Sequence, residues 1–251
     1  MFENQEVSTS EKEKQIRLQQ VDNFIYCPIP KEDMLQNLGL FINSKNLSRI
    51  LFMDFIYRQI LDVHGVVIEF GTRWGQNLAL FSALRGIYEP FNRIRRIIGF
   101  DTFTGFPSVH DNDNKECSFV KPGGLSCGVD YEKYLEKIMQ SQEQDNPIAH
   151  LKKYEIIKGD AIEEIDKYLK RVPETIIALV YFDFDIYEPT KKCLEAIKSR
   201  LVKGSIVAFD ELCDSYSPGE TVALDEVFGL NNIKLKRMST VSRVSYFIYG
   251  E

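Results

Sequence analysis

The sequence predicts an α/β fold organised around a mostly parallel sheet, and three observations carry that expectation. From Val66 onward, short β-branched apolar runs alternate with longer stretches of helical periodicity, as strands do when helical crossovers cover both faces of a sheet. The first run passes directly into a glycine-bearing turn and the second ends in an acid, the arrangement by which such sheets hold ligands outside the carboxyl ends of their strands. The last two apolar runs are separated only by Ser239–Arg243, too short for the crossover of about a dozen or more residues that parallel pairing needs, so they are expected to pair antiparallel.

Taken in order, Met1 to about Gln20 is polar and weakly patterned, which leaves it either disordered or a helix that folds on a partner surface. Between Lys31 and Leu61 apolar residues recur at helical spacing (Met34, Leu35, Leu38, then Leu47, Ile50, Leu51, Ile56, Ile60), predicting two or three helices able to cap a pocket. Strands follow at Val66–Phe70, Arg96–Asp101, Tyr154–Ile157, Ile176–Asp183 and Ser205–Asp210. Helices lie between them at Gln76–Tyr88, Tyr131–Gln144, Ala161–Lys170 and Pro189–Leu201. Lys234–Met238 and Val244–Tyr249 complete a seven-stranded sheet with an antiparallel C-terminal hairpin. No linker of Pro, Gly or Ser divides the chain. The expected organisation is an N-terminal helical extension over residues 1–62, serving as an acceptor cap or an oligomer contact, and one α/β domain over residues 63–251.

Bulk composition narrows the function. Hydrophobic residues make up 44% and charged residues 27% of the 251-residue chain, with no apolar run near the ~20 residues of a membrane span. Glu11, Lys12, Glu13 and Lys14 stand where an export signal would be apolar, so a cytoplasmic location is expected, with no membrane partner. Cys27, Cys117, Cys127, Cys193 and Cys213 are odd in number and form no C-x-x-C pair, which points to free thiols and away from a structural zinc site. The net charge of −6 repels a phosphate backbone, and Arg93, Arg95 and Arg96 are too few to reverse that, so no nucleic-acid partner is expected.

Four constellations carry candidate chemistry. Glu69, Gly71, Thr72 and Gly75 occupy the turn after the first strand, where glycine admits positive φ and lets a ligand approach the backbone, although an ordinary tight turn reads the same way. The turn departs from G-x-G-x-x-G and lacks the G-K-[ST] of a phosphate-binding loop. Asp101, followed by Thr102, ends the second strand where a carboxylate commonly grips a ribose diol, or caps the following loop. Asp160 can accept from an adenine amino group or cap the next helix. Asp183 and Asp185, with Asp210 and Glu211 after the neighbouring strand, bring three or four carboxylates to one sheet edge. Their repulsion calls for a cation, and an all-oxygen set suits magnesium or another hard divalent ion; alternatively, Asp185 and Glu211 face solvent and the other two cap helices.

From about Leu51 to Phe247 these motifs resemble the macrocin O-methyltransferase (TylF/MycF-like) family of sugar O-methyltransferases. The resemblance runs through Glu69-x-Gly71-x-x-x-Gly75, Asp101-Thr102-Phe103-Thr104-Gly105-Phe106-Pro107, Asp183-x-Asp185-x-Tyr187-Glu188 and Phe209-Asp210-Glu211. It implies a Rossmann-like class I methyltransferase fold and S-adenosylmethionine bound beside Glu69, Gly71, Thr72, Gly75, Asp101, Thr102, Asp160 and Asp183. It further implies a divalent ion, Mg2+ or another, at Asp183, Asp210 and Glu211, and a homo-oligomer acting on a small sugar or glycoside in antibiotic or glycan biosynthesis. Two departures stand out: Glu211 replaces the second Asp of the family's Asp-Asp pair, and Phe184 replaces the glycine of Asp-Gly-Asp.

A sugar hydroxyl is a weak nucleophile at neutral pH, so methyl transfer needs in-line placement and removal of a proton, and Asp183 is the expected catalytic residue, as ligand and base. His110, in the loop after Asp101, is either an alternative base or, as the reading to prefer, an ordinary surface histidine, and Trp74, Tyr187 and Arg73 adjoin the expected pocket. The competing readings are a catechol or small-diol O-methyltransferase, an NAD-type oxidoreductase, and a non-catalytic protein that keeps the fold.

Overall fold

The computed structural model describes residues 10–251, and the chain divides into two compact units, 1–51 and 52–251. In the first unit, α1 (Glu11–Ile25) begins in a reciprocal cap: Ser10 Oγ accepts from the Glu13 N–H, and the Glu13 carboxylate accepts from the Ser10 N–H at 2.9 Å. From Glu11 to Gln20 the helical alternative of the sequence reading therefore holds, and residues 1–9 lie outside the described residues. The helices expected between Lys31 and Leu61 take the form of α2 (Lys31–Met34), a 3-10 segment Leu35–Phe41, and α3 (Ser44–Arg58), whose residues 52–58 belong to the second unit. Phe24 and Phe41 meet edge to face at 5.0 Å.

In the second unit, β1 (Val66–Phe70), β2 (Ile97–Asp101), β3 (Tyr154–Lys158), β4 (Ile177–Phe182), β5 (Leu201–Phe209) and β6 (Ser245–Ile248) form one sheet in the order β3-β2-β1-β4-β5-β6. The first five are parallel and β6 runs antiparallel to β5. The helices α4 (Gln76–Tyr88), α5 (Tyr131–Asp145), α6 (Ala161–Arg171) and α7 (Tyr187–Ile197) supply the crossovers, and α8 (Pro218–Phe228) follows β5. Strand order reverses between β1 and β4, and such a switch point opens a crevice at the carboxyl ends of the strands.

Strand side chains alternate between two cores. Ile68, Phe70, Ile98, Phe100, Phe182 and Phe209 pack against Ile165, Tyr168, Leu194 and Leu224 of α6, α7 and α8. Val67, Ile97, Leu179, Tyr181 and Ile206 pack against Phe52, Ile56, Phe81 and Leu135 on the other face. Because successive residues point to opposite faces, a one-residue register slip would exchange these sets. At the carboxyl ends a row of phenylalanines crosses four strands, with Phe70 centred 5.1 Å from Phe100 and 5.0 Å from Phe182, and Phe182 5.1 Å from Phe209. Each such pair contributes about 0.5–1.5 kcal/mol beyond area burial, so this floor is firm.

The sheet has six strands, which corrects the expected seven. Lys234–Met238 makes a single bridge, Lys236 opposite Tyr246, and forms no strand. Lys234 and Arg237 are exposed, and Leu235 remains 43% exposed, so the segment has no apolar face whose burial would hold a longer ladder. Helix α8 lies where the periodicity predicts no element.

Candidate active site

Backbone hydrogen bonds carry the sheet one residue past its strands. The N–H groups of Gly71, Asp183 and Asp210 donate to the carbonyls of Phe100, Phe70 and Phe182 at 3.0, 2.9 and 3.0 Å. Residues far apart in sequence are thus set side by side at the switch point. Gly71 has φ 82°, and a Cβ there would lie 1.9 Å from the Asp183 carbonyl oxygen, so only glycine lets β1 turn this close to the end of β4.

The chain then folds back on Asp101. One Asp101 oxygen accepts from the Arg73 N–H and the other from the Phe103 N–H, each at 2.6 Å. Burial raises the Asp101 carboxyl above its ordinary range, and these two N–H groups oppose that rise. Thr72 is buried and its hydroxyl has no hydrogen-bond partner in the protein. Glu69 is buried within β1, and Gly75 immediately precedes α4. The Thr102 hydroxyl donates to the Gly105 carbonyl at 2.7 Å, tying down the start of the loop. Asp160 accepts from the Ile162 N–H at 3.0 Å as the cap of α6, one of its two expected roles.

The acids after β4 and β5 converge. Asp183, Asp185 and Glu211 each present an oxygen within 4.8 Å of the others. Asp210 is buried beside them; one of its oxygens accepts from the Tyr181 hydroxyl and the other lies 3.8 Å from the Arg243 guanidinium. Glu211 is 3% exposed; Oε1 accepts from Arg243 at 2.8 Å and Oε2 has no hydrogen-bond partner. Arg243 also reaches Asp214 at 3.2 Å. Burial, then the charge of Asp210, pushes Asp185 up to about 6, and burial with Asp210, Asp185 and Asp183 holds Glu211 well above the usual carboxylate range. The fully buried Glu220, on α8, is pushed up to about 8 by burial and then by Asp185 and Asp210. Carboxylates so displaced gain from neutralisation, by a proton or by a cation.

Of the expected ligands, the structure joins Asp183 and Glu211, and it adds Asp185 where the sequence reading has Asp210. The longer arm of Glu211 still reaches the cluster. Glu220 and Arg243 are absent from the sequence reading; only the acid at the start of α8 offers a signal, and α8 itself was not predicted. His110 stacks on Tyr187 with centroids 4.6 Å apart, and its Nδ1 accepts from the Asn112 N–H at 3.1 Å. The Tyr187 hydroxyl donates to Glu226 at 2.6 Å. Trp74 stands edge to face with Tyr131 at 4.8 Å, and the Arg73 guanidinium lies 5.6 Å from its ring.

No family model and no curated protein matches the chain. Among solved structures it is similar to the calicheamicin methyltransferase CalS11, at 41% identity and a TM-score of 0.95 over 98% of this chain and 95% of that one. It is also similar to the apo form of CalS11, a TDP-rhamnose 3'-O-methyltransferase of calicheamicin biosynthesis, at 39% identity and a TM-score of 0.86 over 98% and 97%. The O-methyltransferase NovP shares the fold at 16% identity, with a TM-score of 0.58 over 80% and 79%. The sequence motifs, the switch-point site and near-complete coverage at 41% identity agree, and the chain belongs to the sugar O-methyltransferase family of CalS11.

Proposed function

We propose that the protein is an S-adenosylmethionine-dependent O-methyltransferase acting on a hydroxyl of a deoxysugar, in the biosynthesis of an antibiotic or related glycan, with a divalent cation in its site. One observation carries the reading: Asp183 stands at once against the Gly71 turn through its carbonyl and in the acid cluster through its carboxylate. A cofactor cradle and a cation site that share a residue bring a methyl donor and an acceptor hydroxyl to the same place.

The residues fit both groups. The tight Gly71 turn at the switch point, the unpartnered Thr72 hydroxyl and the Asp101 carboxylate at the end of β2 suit a nucleoside with a ribose diol. Bound S-adenosylmethionine supplies an electrophilic methyl group. The buried, unpartnered Glu211 Oε2 and the all-oxygen donor set suit Mg2+ or another hard ion, held by Asp183, Asp185 and Glu211 with Asp210 alongside. Such an ion supplies acidity to a hydroxyl brought against it.

The chain's own residues do the rest. Asp183 takes the proton of the acceptor hydroxyl, and Asp210, fixed by the Tyr181 hydroxyl, holds its charge beside it. Asp101 and the Gly71 turn orient the donor so that attack is in line. Glu69, Thr102 and Asp160 shape the floor and rim of the donor pocket. CalS11 acts on TDP-rhamnose, which supports a nucleotide-linked deoxysugar as acceptor. The N-terminal helical extension is assigned to the contact of a homo-oligomer. No described helix is long and apolar enough to cross a membrane, in keeping with a cytoplasmic enzyme.

Calorimetric titration with S-adenosylhomocysteine, with and without Mg2+, followed by methyl-transfer assays on nucleotide-linked deoxysugars and on catechol, tests the reading. Micromolar binding that weakens in Asp101→Ala, and turnover of the sugar in preference to catechol, are expected. Binding of NADH in place of S-adenosylhomocysteine would overturn the cofactor assignment.

A further inference from the structure

We infer that Glu220 is a positioning residue for the acid cluster: its side chain fastens the loop after β4 to the loop after β5, so that Asp185 and Glu211 face one cation. The inference rests on the cation site proposed above.

Glu220 sits in the first turn of α8, fully buried. Its two oxygens divide between two loops. Oε1 accepts from the N–H groups of Phe184 at 3.1 Å and Asp185 at 3.3 Å, and Oε2 accepts from the Glu211 N–H at 3.3 Å. These donors are two of the proposed ligand residues, Asp185 and Glu211, and Phe184, which stands between the ligands Asp183 and Asp185. The bonds that satisfy these N–H groups therefore also set the spacing of the carboxylates.

Asp185 holds φ 62°, a conformation that a non-glycine residue keeps only where its surroundings fix it. Its fixtures are the Glu220 carboxylate and the Ser217 hydroxyl, which donates to Asp185 Oδ1 at 3.3 Å. The seat of Glu220 is itself rigid. A Cβ on the preceding Gly219 would meet the Tyr187 nitrogen at 2.5 Å and Asp113 Oδ1 at 2.4 Å, so the start of α8 is wedged against the start of α7. Without this staple, repulsion among Asp183, Asp185, Asp210 and Glu211 would act to spread the two loops, which the three Glu220 bonds hold together backbone to backbone.

The test is Mn2+ binding to the full-length protein, by calorimetry, for wild type, Glu220→Gln, Glu220→Asp and Glu226→Gln. Glutamine keeps the shape of Glu220 but offers one acceptor oxygen, so one of the two loops loses its anchor. At least a tenfold loss of Mn2+ affinity is expected, together with faster amide exchange at Asp185 or Glu211. Glu226→Gln removes a charge from the same helix but bonds only Tyr187 and Lys191, and should bind as wild type does. Folded Glu220→Gln with wild-type affinity overturns the inference, as does an equal loss in Glu226→Gln. If Glu220→Gln fails to fold, Glu220→Asp, which withdraws the carboxylate by one methylene, should show the same loss, and wild-type affinity in it is equally fatal. No Mn2+ binding by wild type removes the cation site and this inference together, whereas equal binding by wild type and the Glu220 variants removes this inference alone.

Discussion

Replacing Gly71 with alanine should damage both stability and donor binding, and the structure sets the scale. At φ 82° an L side chain costs about 1–2 kcal/mol from conformation alone. The new Cβ would stand 1.9 Å from the Asp183 carbonyl oxygen and 2.6 Å from its carbon. A backbone carbonyl cannot rotate aside as a side chain can, so the ends of β1 and β4 must part, which adds an overpacking cost of about 1–3 kcal/mol. Parting them weakens the bond from the Asp183 N–H to the Phe70 carbonyl, worth about 0.5–1.5 kcal/mol. The total is roughly 3–6 kcal/mol, a large share of the ~5–15 kcal/mol that holds a domain folded. Gly123 provides the control, because it has φ 76° and open space where a Cβ would go. Gly123→Ala should cost only the conformational ~1–2 kcal/mol. Urea unfolding followed by circular dichroism measures both variants, and S-adenosylhomocysteine titration of the folded proteins follows. Equal destabilisation and equal ligand affinity in the two variants would refute the claim that the close approach of Gly71 to Asp183 builds the site.

Asp183→Asn should lower kcat by at least about a hundredfold while leaving S-adenosylhomocysteine affinity within a few fold, since it removes a base and a charge but not the backbone cradle; a fully active variant eliminates Asp183 from the chemistry. Glu143→Gln should destabilise by about 3–5 kcal/mol in urea unfolding, because Arg85 at 2.8 Å and Lys153 at 2.6 Å are both buried against that one carboxylate; a change below about 1 kcal/mol would contradict it. Burial pushes Glu89 up, but hydrogen bonds from Arg95, Tyr57 and Asn92 outweigh it and leave its carboxyl below the ordinary value. Its contribution to stability is therefore complete above the unfolded value of about 4.3 and is lost as pH falls through the lower folded value. Urea midpoints measured from pH 6 downward should fall less steeply in Glu89→Gln than in wild type, and parallel profiles would count against the assignment.

The strands and helices most legible in the sequence are those whose burial is one-sided or complete. The β1 and β2 runs, Val66–Phe70 and Ile97–Asp101, are apolar enough to show as strands, and α4 appears at its expected Gln76–Tyr88. The seventh strand failed because Lys234–Met238 carries only two apolar residues three apart, of which Met238 packs on the core while Leu235 stays 43% exposed, so no period-2 face supports a ladder. Helix α8 escaped because its first turn buries Gly219 and Glu220 where a helix facing the core would carry apolar residues, leaving only Ala223, Leu224, Val227 and Phe228 as a short apolar run.

The sequence by itself determined the parts of this protein that are local. These are the glycine turn after β1, the acid that ends β2, the Asp-x-Asp run, and the motifs that place the chain in its family. Their spacing follows from a few covalently adjacent residues, which is why it can be read along the chain. Tertiary structure alone decided which atoms meet. Asp183 reaches Gly71 only because β4 pairs with β1, and Asp185 joins Glu211 only because Glu220, on a helix that follows both, accepts N–H groups from each of their loops. Such contacts depend on strand register and helix packing between residues that the sequence separates widely, and no local pattern encodes them.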